Sequence, residues 1–186
     1  MNRTARDALA DARLAEAYAQ VPAIACKGLC HTTCTVIEMS NRERQVLRER
    51  HGVDIPELPR GVRVQDVDPR PCPALTLLNR CGVYEDRPML CRVWGVVQDL
   101  PCIYGCVPDS GYLPNVDGVA LVAESFDAGG SPPSRPVCGG AAELRANVAA
   151  APQLVDVAAA MFTRGSAGDR RVARGEAGMA GPRPIR

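Results

Sequence analysis

The sequence predicts a small α+β domain, rich in loops, organised around a cysteine metal centre and flanked by helices. Three observations lead there. Of 186 residues nine are cysteine, and eight of those fall between Cys26 and Cys106. Glycine and proline, 17 and 16 residues, cut the chain into short elements. Hydrophobic residues reach 46%, but 26 of them are alanine and aromatic residues make up only 4%. Such a composition builds a thin core, and a bound metal is one way to supplement it.

The elements follow in order. Residues 4–20 are alanine-rich, with Leu9, Leu14 and Tyr18 among charges, and predict an amphipathic helix ended before Pro22. A thiol-rich loop comes next, and Val36-Ile37 fits a short strand or a turn. Ser40-Asn41-Arg42-Glu43 reads as a capping box opening a helix through about His51, with Gly52 as its stop. On that helix Arg42, Glu43, Arg44, Arg48 and Glu49 are expected mostly to face water, with Val46 and Leu47 packing. Pro56, Pro59, Pro69 and Pro71 make residues 53–71 a connecting loop. Two short strands are expected around 74–78 and 81–84, joined through Asn79-Arg80. Asp86 or Arg87 then caps a short helix with Pro88 in its first turn and Cys91 near its positive end.

Residues 99–115 read as loop, and 117–127 fit helix or strand equally. Residues 128–140 form a Gly/Pro/Ser-rich linker holding the isolated Cys138, and 141–163 an alanine-rich helical segment broken near Pro152. From 164 onward the chain is Gly/Arg-rich, and disorder is expected. The domain plan is thus 1–127 for the cysteine-cluster domain, 128–163 for linker and helical segment, and 164–186 for the tail.

Formal net charge is +1, which gives no global field for nucleic acid or an anionic membrane. The basic bias is local, six Arg against Asp169 and Glu176 within 164–186. A zinc module for nucleic acid would place basic residues on a helix beside its ligands, whereas the 40–51 helix is charge-balanced. The N-terminus has no continuous apolar stretch, and no run of about 18 apolar residues exists to span a bilayer. A cytoplasmic, reducing location is therefore expected, where an odd number of cysteines fits ligation better than disulfides.

Cys26, Cys30 and Cys34 lie four apart in CKGLCHTTC. They fit one face of a buried helix, or a loop whose sulfurs converge on a metal. Gly28, Thr32, Thr33 and Thr35 are poor helix formers and favour the loop. Thiolates suit zinc or an iron–sulfur cluster such as [4Fe–4S], both of which take four ligands. Cys72, Cys81 and Cys91 are the candidates for the remainder. Cys72 is held between two prolines, and a helix N-terminus near Cys91 favours its thiolate. Cys102 and Cys106, in CIYGC, either complete that site or build a second. Lys27, Arg80, Arg87 and Arg92 flank the cysteines and would offset thiolate charge. His31 reads first as a polar loop residue and second as a ligand; His51, at a helix end, has no assigned role. Tyr84 and Trp94 are expected to pack over the site.

With these residues in view, the chain resembles the YkgJ-type cysteine-cluster family over roughly residues 26–106. Those proteins are described as zinc- or iron-chelating and are grouped with flagellin lysine N-methylase. The family's second motif, C-P-x-L, C-x-I-Y and R-P-x-x-C-R, is matched by Cys72, Pro73, Leu75, Cys81, Val83, Tyr84, Arg87, Pro88, Cys91 and Arg92. Its first motif commonly ends in adjacent cysteines; here the spacing is C-x3-C-x3-C, with Thr33 where the first of that pair would fall. The resemblance implies a cysteine-ligated iron–sulfur cluster or zinc with a structural, electron-transfer or accessory role, serving an unidentified protein partner or substrate. It also implies an alternative, an S-adenosylmethionine-dependent protein lysine N-methylase-like enzyme. Against that alternative, no glycine-rich strand–turn–helix for the methyl donor is found, and Gly129-Gly130 and Gly139-Gly140 fall in the expected linker.

Overall fold

The computed structural model describes residues 2–57 and 71–132. Cys138, the 141–163 helical segment and the 164–186 tail lie outside the described residues. Within them the fold is mixed α+β and loop-rich. The order is α1 (Arg3–Tyr18), a 3-10 turn (Cys30–Thr33), α2 (Asn41–His51), α3 (Met89–Val93), β1 (Val96–Val97), β2 (Leu100–Pro101) and α4 (Asn115–Gly129).

Asn2 caps α1 by accepting from the Ala5 N–H at 2.9 Å. The helix turns Leu14 and Ala17 inward, each 3% exposed, and ends where Pro22 forbids another turn. Leu9 stays at the surface instead of joining this face. α2 begins with the expected capping box: Ser40 Oγ accepts from the Glu43 N–H, and the Glu43 carboxylate accepts from the Ser40 N–H. It stops at Gly52, whose φ of 63° is the left-handed conformation that closes helices.

Two predicted features are corrected. Glu43 and Arg44 do not face water; they are 3% and 6% exposed. The Glu43 carboxylate accepts four hydrogen bonds, from Ser40 N–H (2.8 Å), Ser40 Oγ (2.8 Å), Tyr18 OH (2.9 Å) and Met89 N–H (2.7 Å). Arg44 donates to the Ile55 carbonyl. The second correction concerns α3: Pro88 itself occupies the N-cap and no side chain caps the helix. Its orphan N–H at Met89 is satisfied by Glu43 from a distant helix, while Asp86 pairs with Arg50 and His51.

The strands expected around 74–78 and 81–84 reduce to one bridge, Leu75 to Cys81. Leu77 and Leu78 project from the turn, 103% and 83% exposed, and Asn79 takes a positive φ of 57°. With no apolar partner for those side chains, the hairpin cannot lengthen. The observed sheet is instead β1 with β2, antiparallel, in a stretch that overlaps the predicted 99–115 loop. The 117–127 alternatives resolve as helix, since α4 covers them. Val36 and Ile37 form no strand; Thr35 bridges Pro71 beside them.

Two hydrophobic cores result. The first gathers Ala17, Met89, Val93, Val96, Val97, Leu100 and Leu121, with Trp94 packed against it. The second gathers Met39, Leu47, Ile55, Ala74 and Val83, with Cys72 and Cys81 at its edge. α4 packs closely on β1 and on the start of α2 because it carries glycine at both contacts. A Cβ on Gly118 would lie 2.6 Å from Val97 Cγ2, and one on Gly129 would collide with Ser40 Oγ. No helix among the described residues is long and apolar enough to cross a membrane.

Glu43→Ala strands four donors and should lower unfolding free energy by about 3–5 kcal/mol in urea denaturation. Glu43→Gln keeps the shape but sets an NH2 group against donors, and an intermediate loss is expected.

Acid should weaken the fold through Asp11 and Asp86. The bidentate Arg42 hydrogen bonds hold the Asp11 carboxyl below its usual range, and His51, then Arg50, do the same for Asp86. A depressed folded value stabilises above about pH 4 and is lost as pH falls through that value. Both pairs are solvent-accessible, so about 0.5 kcal/mol each is expected. Asp86→Asn should remove that share of the decline in melts between about pH 5 and pH 3.

Candidate metal centre

After α1 the chain runs out through Ala23–Cys26, where Ile24 bridges Pro108. Gly28, at φ 65°, then reverses it, and its N–H donates to the Cys26 sulfur at 3.3 Å. Only Cys30–Thr33 is helical, a single 3-10 turn, so the three thiols do not line an α-helix face. Across that turn Cys30 and Cys34 come together and share a hydrogen bond.

The second cysteine segment lies directly against the first. The Cys72 N–H donates to the Cys34 carbonyl at 3.0 Å, and Thr35 and Pro71 form an antiparallel bridge. Cys81 sits opposite Leu75 in the tight turn. Cys91 rides on α3, with its N–H bonded to the Pro88 carbonyl at 2.9 Å. Residues 34 and 72, far apart in sequence, are therefore backbone neighbours.

The electrostatics link five of the sulfurs. The hydrogen bond from Cys34 pulls the Cys30 thiol down to about 6, helped by Arg87 and His31. Cys34 is pushed up by the same bond, then by burial and by the Cys30, Cys91 and Cys72 sulfurs. The two thiols titrate together, and burial opposes loss of the second proton. Burial, and then Cys81, raise Cys72. Cys91 opens to solvent on one side, yet it is surrounded by protein, and that burial with the Cys72 and Cys81 sulfurs pushes it up. The expected lowering of Cys91 by the helix N-terminus is not observed, because a five-residue helix has a small dipole to set against crowding.

Thiolates held this close repel one another, and a cation among them would relieve the repulsion. Arg87 supplies part of that charge, acting on both Cys30 and Cys91. Its guanidinium lies 3.9 Å from the Tyr84 ring centroid, and its buried Nε has no hydrogen-bond partner among the described residues. An orphaned donor beside anionic sulfur fits a thiolate or sulfide acceptor. The other flanking cations are committed to carbonyls: Arg80 to Lys27 (2.7 Å), Lys27 to Tyr104 (3.2 Å) and Arg92 to Arg87 (2.8 Å). Trp94 packs in the first core and not over the thiols.

Cys102 and Cys106 form a separate pair in the loop after β2, hydrogen-bonded to each other. For Cys26 the described sulfur contact is the Gly28 N–H. The eight described cysteines carry no disulfide. Among the described residues, no group of three or more His, Cys, Asp or Glu side chains is arranged as a metal-holding set. The segments are apposed through their backbones.

Sequence reasoning passed over Glu43, which ties α3, and hence Cys91, to α1 and α2. The signal it carried was local, its place in the capping box, and did not extend to Tyr18 or Met89. A nearby cleft of about 340 Å³ is lined by Tyr18, Glu43, Arg50, Asp86 and Arg92 among others. Those five are already engaged with protein partners. Comparison with known proteins gave no significant match to a family model, a curated protein or a solved structure.

In metal-free, reduced protein at pH 7, iodoacetamide should label Cys30 well ahead of Cys34 and Cys91. Timed alkylation read by peptide mass spectrometry checks the order.

Proposed function

We propose that this is a metal-binding protein whose centre, an iron–sulfur cluster or zinc, is held by thiolates from the Cys26–Cys34 loop and from Cys72, Cys81 and Cys91. The observation that carries the reading is the backbone contact between Cys34 and Cys72, 3.0 Å from N–H to carbonyl, which sets the two thiol segments edge to edge. Three further features support it. Five sulfurs act on one another electrostatically, Arg87 adds a cation to them, and its Nε lacks an acceptor among the described residues. The motif likeness to the YkgJ-type family supports the same chemistry. Cys34 and the three thiols that act on it, Cys30, Cys72 and Cys91, make four, enough for a tetrahedral zinc or one cubic cluster. Cys26 and Cys81 are the reserve ligands.

The role we assign is structural, electron-transferring or accessory to a protein partner. The second core explains how a metal would stabilise the fold, because Cys72 and Cys81 form its edge. Five buried apolar residues make a small cluster, and metal binding adds folding free energy to it directly.

Metal analysis with a visible spectrum on anaerobically purified protein tests the proposal. A broad band at about 400 nm that bleaches on reduction identifies a cluster; a colourless protein with stoichiometric zinc identifies zinc. Cys72→Ser and Cys91→Ser should each reduce bound metal severalfold while Cys138→Ser leaves it unchanged. Removing the metal should lower the melting temperature. Protein purified with neither iron nor zinc, and unable to take up either, would refute the reading.

A further inference from the structure

The turn from Thr76 to Arg80 presents apolar side chains to water at positions where turns usually present polar ones. We propose that this turn, with two loop tips tied to it, docks on the surface of a bilayer that carries anionic lipid, Leu77 and Leu78 entering at the headgroup boundary. The contact is peripheral, and it does not depend on whether the thiols hold a metal.

The turn holds its two leucines outward. Gly, Pro, Asn, Asp and Ser dominate turns because each suits the sharp backbone. Here the two central residues are Leu77 and Leu78, 103% and 83% exposed. The Asn79 N–H closes the turn on the Thr76 carbonyl at 2.9 Å, and the Thr76 N–H donates to the Arg80 carbonyl at 2.8 Å. The Arg80 N–H donates to Thr76 Oγ1 at 3.2 Å. A tip fixed in this way has little order left to lose on docking.

Two neighbouring tips are tied to this one. Arg80 Nη1 donates to the Lys27 carbonyl at 2.7 Å, and Lys27 Nζ donates to the Tyr104 carbonyl at 3.2 Å. A Cβ on Gly28 would collide with the Arg80 guanidinium, so glycine lets the first loop close on the turn. Leu29, Ile103 and Tyr104 are exposed at these tips. Exposed apolar groups gathered in this way mark a contact surface. A protein partner would need a pocket for each projecting leucine, and leucine is under-represented among the residues that dominate protein interfaces. A fluid bilayer needs no such pockets.

The net charge of +1 hides a local bias. Residues 23–37, 71–84 and 100–108, the stretches that carry the tips, contain no Asp or Glu, although the chain has 21. Lys27 and Arg80 are exposed among them. Bonds to carbonyls leave both cations charged, and an anionic surface attracts them. Thiolates behind the loops oppose part of that attraction, so leucine burial carries the contact and the cations orient it.

Co-sedimentation of anaerobic full-length protein with vesicles tests this, using phosphatidylcholine alone and with added phosphatidylserine. Partition onto the phosphatidylserine vesicles is expected. Leu77→Ser combined with Leu78→Ser should lower it about tenfold, at unchanged melting temperature and metal content. Lys27→Gln should weaken binding to the phosphatidylserine vesicles severalfold and leave binding to phosphatidylcholine alone as in the wild type. No partition onto either vesicle overturns the proposal, as does partition that the leucine substitutions leave unchanged. Self-association of lipid-free protein that those substitutions abolish also overturns it, because a second copy would then cover the tip. Leucine-dependent capture of an acidic protein, with vesicles left unbound, gives the surface to a protein partner and overturns it as well.

Discussion

The fold hangs on one buried carboxylate. Glu43 receives donors from the end of α1, from the start of α2 and from the first N–H of α3. An ionised carboxylate is acceptor-only with about four lone-pair sites, and here four donors use them. That saturation is why a charge tolerates 3% exposure. It also sets the place of α3, five residues long and too short to hold itself together. Met89 and Val93 anchor α3 in the first core, and Cys91 projects from the same short helix towards the second.

Cys72 and Cys81 lie at the edge of the second core, and the environment of the thiols is one of crowding more than of attraction. Cys34, Cys72 and Cys91 are each pushed up, with burial and neighbouring sulfur among the causes. Cys30 is the exception: Cys34 lowers it most, with Arg87 and His31 adding to that. Five thiols with a single adjacent arginine form an arrangement short of positive charge. Surface hydration can relieve only part of this, since Cys72 and Cys34 are half-buried.

Much of this was legible from local chemistry. The capping box at Ser40, the left-handed Gly52 and the stop before Pro22 are short-range rules, and all three operate as read. What escaped was non-local. Glu43 looked solvated because a charged residue on a helix usually is, and nothing near it in sequence announces Tyr18 or Met89 as donors. The hairpin at 74–84 looked plausible from its apolar residues, but Leu77 and Leu78 meet nothing to pack on. The two-residue strands β1 and β2 carry too few residues for a period to register. For α4, small and apolar residues alternate without a clear repeat, and packing on β1 and Ser40 decides for helix. Of the candidate site, the positions of the thiols were legible from residue type; the Cys34–Cys72 contact depends on how loops return, which spacing does not encode.

The Cys34–Cys72 contact also has a meaning for synthesis. The two segments that meet there are separated by a long stretch of chain, so the contact forms only once the later one has emerged from the ribosome. Until then Cys26, Cys30 and Cys34 are nucleophiles without their neighbours, open to oxidants and to stray ions.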